Sequence, residues 1–185
     1  MGNREDLLAG AKECLVEKGY ARTTARDIAS ASGVSLAAIG YHFGSKEALL
    51  GEALQQALAE WGDELDGLLA GSTDFVTAWT KVVESFDRSR PLWAIQFELL
   101  AHLERHPELR ESFAEANKRA RLGLAELLRG SHAAGDRADA ARLGAFYQVL
   151  LAGLAAVDLA EPGGTPTPTD LLAAMRSITA GRAGA

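Results

Sequence analysis

A chain of 185 residues, 48% apolar and 24% charged, has material for a sizeable core in one domain or two small ones, and is too apolar for extended disorder. Its net charge of −6 is unevenly spread: the first fifty residues hold six Lys/Arg and six Asp/Glu, leaving 13 basic and 19 acidic residues beyond. A neutral head on an acidic body excludes indiscriminate adhesion to polyanions but leaves room for binding through a few well-placed cations. Alanine and leucine dominate, and no run of β-branched residues alternates with polar ones, so the whole chain is predicted all-α. Cys14 stands alone, without a partner for an internal disulfide, and falls where a helix would bury it. With no basic-then-apolar leader and no stretch approaching eighteen uninterrupted apolar residues, neither a signal peptide nor a membrane span is expected, and the chain is placed in the cytoplasm.

In chain order, Asn3 with Asp6 predicts an N-cap and its reciprocal acid. Leu7, Leu8, Ala11, Leu15 and Val16 then follow helical spacing to a stop at Gly19. Thr24 and Asp27 form the capping box of a second helix that buries Ile28 and Ala29 and ends at the left-handed turn residue Gly33. Ser35 caps a short third helix with Ile39 and Phe43, and Ser45 caps a long fourth one running from Leu49 to Trp61 and beyond. Further helices are predicted over Asp74–Arg88, broken at Arg90-Pro91, then Pro91–His106, Pro107 to near Gly130, Asp136–Ala160, and from Asp170 on. The tail Ala180–Ala185 is expected to fray.

Residues 24–43, two short helices about a glycine turn, have the helix-turn-helix pattern. By itself that pattern fits many helical hairpins. Thr23-Thr24-Ala25-Arg26-Asp27-Ile28-Ala29, Gly33-Val34-Ser35, Ile39-Gly40-Tyr41-His42-Phe43 and Ser45-Lys46-Glu47-Ala48-Leu49-Leu50 sharpen it, in residue type and in spacing. Over about residues 5–55 the chain resembles the N-terminal domain of the TetR (tetracycline-repressor) family. The resemblance implies a DNA-binding domain at 1–47 and a helical effector-binding and dimerisation domain at 48–185. It also implies a homodimeric regulator, most simply a repressor, on a pseudo-palindromic double-stranded DNA operator, released by a small-molecule effector.

A recognition helix must be short or polar on its groove side and apolar beneath. Ser35, Leu36, Ala37, Ala38 and Tyr41 are assigned to the groove, and Val34, Ile39 and Phe43 to the core. Thr24, Tyr41, His42 and Lys46 match family positions that touch the phosphate backbone, and Arg26 is the cation best placed to reach a guanine edge. The chain departs from the family where Gly40 replaces a common tyrosine and where Leu36 replaces a long polar side chain. Backbone contact then passes to Tyr41, and Leu36 and Ala37 face thymine methyl groups.

For the body, the family architecture points to aromatics mixed with a few polar groups as the effector site, here Trp79, Trp93, Phe97, His102, Phe113 and Tyr147. Leu143, Leu150 and Leu154 of one helix with Leu171 and Met175 of the next supply a stripe for a dimeric four-helix bundle. Glu98, His102 and His106 share a helix face at i, i+4 and i+8, but three ligands spread over two turns rarely converge, so no metal and no cofactor is expected. Gly44-Ser45-Lys46 lacks the earlier glycine and upstream strand of a phosphate-binding loop, and no nucleophile elbow or paired cysteine ligands occur, so an enzyme is not expected. The remaining alternative is a helical scaffold or interaction protein that does not bind DNA.

Overall fold

A computed structural model describes residues 2–104, 106–128 and 137–180. Among them are eight helices and no strand: α1 (Asn3–Lys18), α2 (Ala25–Ser32), α3 (Leu36–Phe43), α4 (Lys46–Leu69), α5 (Phe75–His102), α6 (Pro107–Leu127), α7 (Arg137–Ala160) and α8 (Pro168–Ala180). The chain groups into two compact units. One comprises residues 1–62 with 91–116; the other comprises 63–90 with 117–185. The expected helix end near Gly130, the start at Asp136 and most of the tail Ala180–Ala185 fall outside the described residues.

In the first unit, α1, α2 and α3 pack around Leu7, Ala11, Leu15, Ile28 and Ile39, and the early turns of α4 complete the core with Leu49, Leu50, Ala53 and Leu54. Ile95 and Leu99 of α5, and Leu109 and Phe113 of α6, join the same cluster. Gly10 allows α1 and α2 to touch: a Cβ there would lie 2.8 Å from the backbone nitrogen of Ser32. Cys14 is buried in this core, and burial pushes its thiol above the ordinary range. In the second unit Leu65, Leu69, Phe75, Trp79, Val82 and Phe86 are buried, as are Ala125, Tyr147, Leu151 and Leu154. Gly144 marks the closest helix approach, where a Cβ would fall 1.9 Å from the Arg121 carbonyl oxygen.

Several boundaries differ from the sequence expectation: α5 ends at His102 rather than His106, and α8 begins at Pro168 rather than Asp170. The N-cap of α1 is Gly2 and Asn3 is already helical, so the Asn3–Asp6 box does not form. More consequentially, α5 runs unbroken through Pro91, where two helices were expected. A proline removes one N–H and crowds the carbonyl four residues earlier, that of Asp87. Both Pro91 and Asp87 are exposed, so the lost bond lies on the solvent face, where the carbonyl is open to water. Beside this face Arg90 anchors the helix. Its guanidinium donates to the Asp158 and Leu159 carbonyls at 3.1 and 3.0 Å and to the Asp158 carboxylate at 2.9 Å, a cation at the C-terminal end of α7.

One helix, over Ala138–Ala160, is long and apolar enough to cross a membrane by length and composition, with mean hydropathy 1.7. Sequence inspection for uninterrupted apolar runs does not reveal it, because isolated charges such as Arg142 and Asp158 interrupt it. Within the second unit its Tyr147, Leu151, Leu154 and Ala155 are buried, and its Asp158 is paired.

Leu50 has no exposure, whereas Leu36 stands about half exposed on α3. Leu50→Ala is expected to destabilise the protein by about 2–5 kcal/mol and Leu36→Ala by less than about 0.5 kcal/mol, read from urea denaturation midpoints.

Candidate nucleic-acid interface

The surface presented by α3 follows from its sequence. Ile39 is only 4% exposed and Val34, Ala38 and Phe43 pack against the core, so the opposite face carries Ser35, Leu36, Ala37, Gly40 and Tyr41, all exposed. Ala38, expected on the groove side, therefore belongs to the packing face. At 100° per residue it lies beside the buried stripe, while Gly40 continues the open one. A Cβ at Gly40 would meet nothing within 4 Å, so the glycine is not required by packing. It leaves a gap in the face beside Tyr41. That ring is 86% exposed and meets His42 edge-on, centroids 4.9 Å apart, while His42 is half-buried and also approaches Phe43. Ser35 occupies the N-cap position but its hydroxyl makes no capping bond, leaving it free to meet an external acceptor or donor.

The helix before it is held by its cap. The Thr24 hydroxyl accepts from the Asp27 N–H at 3.2 Å and donates to the Asp27 carboxylate at 2.6 Å, and the Thr24 N–H donates to the same carboxylate at 2.8 Å. The hydroxyl expected at a phosphate is thus committed to the box. Gly33, at φ 68°, makes the left-handed turn into α3.

Cations are mostly spoken for. Arg4 pairs with Glu52 and its guanidinium lies 5.0 Å above the Phe43 ring; Lys12 pairs with Glu60 at 2.7 Å and Lys18 with Asp27 at 2.6 Å. Lys46, expected at a phosphate, donates to the Thr23 carbonyl at 3.0 Å and sits 3.4 Å from Glu47. Arg22 donates to the Lys18 carbonyl at 2.7 Å. Arg26 remains, exposed in the first turn of α2 and without an ion-pair partner among the described residues. Thr23, which sequence reading treats only as part of the resemblance, is 1% exposed and donates to the Gly19 carbonyl at 2.7 Å, closing the α1–α2 turn from within. A small hydroxyl before an N-cap threonine was the available signal.

The expected effector residues divide between the two units. Trp79 and Tyr147 lie 5.9 Å apart, centroid to centroid, in the second, with Trp79 wholly buried and its indole N–H without a hydrogen-bond partner among the described residues. In that unit the Gln148 amide also donates to the Asn117 carbonyl oxygen at 3.1 Å. In the first unit Trp93 is buried against Trp61 in a T-shaped contact at 5.2 Å, and Phe97 is half-buried. His102 donates from Nδ1 to the Glu98 carbonyl at 2.8 Å and its ring lies 5.3 Å from that of Tyr20. Phe113 lines a cavity of about 590 Å³ together with Phe43, Gly44, Gln55, Leu109 and Ser112. His106 lies beyond the end of α5, and the Glu98 carboxylate is engaged by the α1–α2 turn, so the Glu98, His102, His106 face does not converge.

Of the residues expected at a dimer interface, Leu154 is 4% exposed within the chain, and Leu143, Leu150, Leu171 and Met175 are half-buried. The apolar stripe left open on α7 runs through Phe146, Val149 and Val157, with Val149 72% exposed; Ile178 of α8 is equally open.

Two family descriptions match these elements: "Bacterial regulatory proteins, tetR family" over residues 7–53 and "Tetracyclin repressor-like, C-terminal domain" over residues 70–181. The chain belongs to the TetR family. It is a family of transcriptional regulators rather than of enzymes. The chain is similar to the HTH-type transcriptional repressor AcnR of Corynebacterium efficiens, 28% identical over 116 residues, which are 62% of this chain and 58% of that protein. It is also similar to the HTH-type transcriptional repressor KstR2 of Rhodococcus jostii, 31% identical over 106 residues, 55% of this chain and 52% of that one. The chain thus spans little more than half the length of these relatives. Over nearly its full length, 96% of this chain and 98% of the other, it matches a Streptomyces coelicolor A3(2) protein assigned as a transcriptional regulator, with TM-score 0.69 and 28% identity.

For this TetR-family head, the bonds from Lys18 and Thr24 hold the Asp27 carboxyl well below the usual carboxylate range, and Lys18 is correspondingly raised by Asp27. A depressed carboxyl contributes stability above the ordinary carboxylate pKa of about 4 and loses it as pH falls through the folded value. Asp27→Asn is expected to melt below the wild type at neutral pH, and the gap should narrow as the buffer is taken below that range, followed by thermal melts across a pH series.

Proposed function

We propose that the chain is a transcriptional repressor that binds a pseudo-palindromic operator as a homodimer and leaves it when a small molecule binds the helical body. What supports this most directly is the open face of α3, where Ser35, Leu36, Ala37, Gly40 and Tyr41 make a protrusion of small side chains with one phenol at its edge. Such a face fits a major groove about 12 Å wide, with Leu36 and Ala37 against thymine methyls. In this reading the Tyr41 hydroxyl, the Ser35 hydroxyl and the first amides of α2 and α3 meet phosphates, with His42 and Lys46 beside them, and Arg26 reaches a base edge. Thr24 acts through the cap that sets α2.

A helix pair with two-fold symmetry would set the two recognition helices about 34 Å apart, one turn of DNA. The exposed Phe146, Val149, Val157 and Ile178 support α7 and α8 as the pairing surface, continuing the stripe of Leu143, Leu150, Leu171 and Met175. Trp79 and Tyr147, and separately Trp93, Phe97, His102 and Phe113, are the candidate effector contacts. An effector releases the operator only by preferring the non-binding arrangement. The protein acts on DNA in the cytoplasm, and no catalytic step is assigned to it.

A gel shift with the chain's own upstream region tests the reading. Retardation that survives competitor DNA is expected, and no shift even at low salt would favour a scaffold that ignores DNA. Within a positive result, Arg26→Ala should weaken operator binding by roughly 1–3 kcal/mol while sparing scrambled DNA. An equal loss on both would move Arg26 to the phosphates.

A further inference from the structure

We infer that Glu98 is a positioning residue for operator recognition: from the C-terminal half of α5 its carboxylate clamps the α1–α2 turn, and so sets where α2 and α3 stand. The inference rests on the DNA-binding reading above. The two carboxylate oxygens accept from successive backbone N–H groups, Oε2 from Tyr20 at 2.8 Å and Oε1 from Ala21 at 2.9 Å. Bonds of this kind, with an ionised acceptor, are roughly twice as strong as neutral ones, and a pair of them fixes orientation as well as distance. The approach depends on Gly19, at φ 79°, where even a Cβ would come within 3.2 Å of Oε2. A side chain at that position would press on the carboxylate and strain the backbone.

The clamp is braced from both sides. One turn further along α5, His102 donates to the Glu98 carbonyl at 2.8 Å and packs its ring 5.3 Å from Tyr20. At the other end of the turn, Thr23 bonds back to Gly19 and receives Lys46 on its carbonyl. Between the clamped amide of Ala21 and the start of α2 at Ala25 there is no glycine, so little slack separates the two. Any displacement of this half of α5 therefore moves the turn, and the turn carries the N-terminus of α2. Trp93 and Phe97, two of the candidate effector contacts, stand on the same stretch of α5, five residues and one residue before Glu98. A ligand meeting them would be read by the head through this carboxylate.

Two variants of the full chain, Glu98→Ala and Glu98→Gln, separate this role from a merely structural one. Amide hydrogen exchange should accelerate at Tyr20 and Ala21 by about tenfold or more in Glu98→Ala, the loss expected for charge-assisted bonds, while Leu7 to Leu15 in α1 keep their protection. Affinity for the upstream operator should fall about tenfold with affinity for a scrambled duplex nearly unchanged, because sequence-independent binding needs charge but not register. Glu98→Gln should fall between, since its amide oxygen can accept one N–H while its NH₂ opposes the other. Unchanged discrimination between the two duplexes in both variants overturns the inference, whatever the exchange shows. So does a proportional loss on both duplexes accompanied by loss of protection throughout α1, which would mean global destabilisation. A wild type that binds neither duplex overturns the DNA-binding reading itself and the inference with it.

Discussion

The core of this protein's head is completed by residues that lie outside it. Ile28 and Ile39, the inward residues of α2 and α3, are closed off by Leu49, Leu50, Ala53 and Leu54 of α4, and the cluster continues through Ile95, Leu99, Leu109 and Phe113. Three helices of sixteen, eight and eight residues bury too little apolar surface to stand unaided, so the first turns of α4 and parts of α5 and α6 are structural components of the head. The core runs across the division expected at 47/48, and the family matches leave residues 54–69, within α4, between them.

That shared core has consequences for regulation. Because the head is packed against residues of α5 and α6, it cannot be indifferent to their positions, and polar contacts sharpen the dependence: Gln55 to Ser112 at 3.0 Å, Lys46 to Thr23, Glu98 to the α1–α2 turn. Close-packed interiors shift between discrete arrangements rather than deform smoothly. The neutral charge of the head fits the same design. Arg4, Lys12, Lys18 and Lys46 are paired internally, which leaves little unbalanced positive charge on the head.

Local chemistry carried much of this in the sequence. The Thr24–Asp27 box, the glycine turns at Gly19 and Gly33, the Ser45 cap and the inward Ile39 are short-range features, each readable within four residues, and each stands where the spacing placed it. The membership of the chain in the TetR family was legible for the same reason, since the matching residues are the ones that build a helix-turn-helix locally. Pro91 misled because a proline's cost depends on which face of the helix it occupies, a fact settled by burial and not by neighbours in sequence.

The linear chain therefore determined helix identity, turn chemistry and the small-residue character of α3, all consequences of interactions spanning one or two turns. Only the tertiary structure decided which side chains remained available. Ala38 was half-buried against the core while Gly40 stayed on the open face, Lys46 was drawn to the Thr23 carbonyl while Arg26 was left exposed, and Glu98, 78 residues from Tyr20, became a clamp. Periodicity along a chain reports faces of a helix, but availability is set by what another segment brings to that face, and that segment lies far away in sequence.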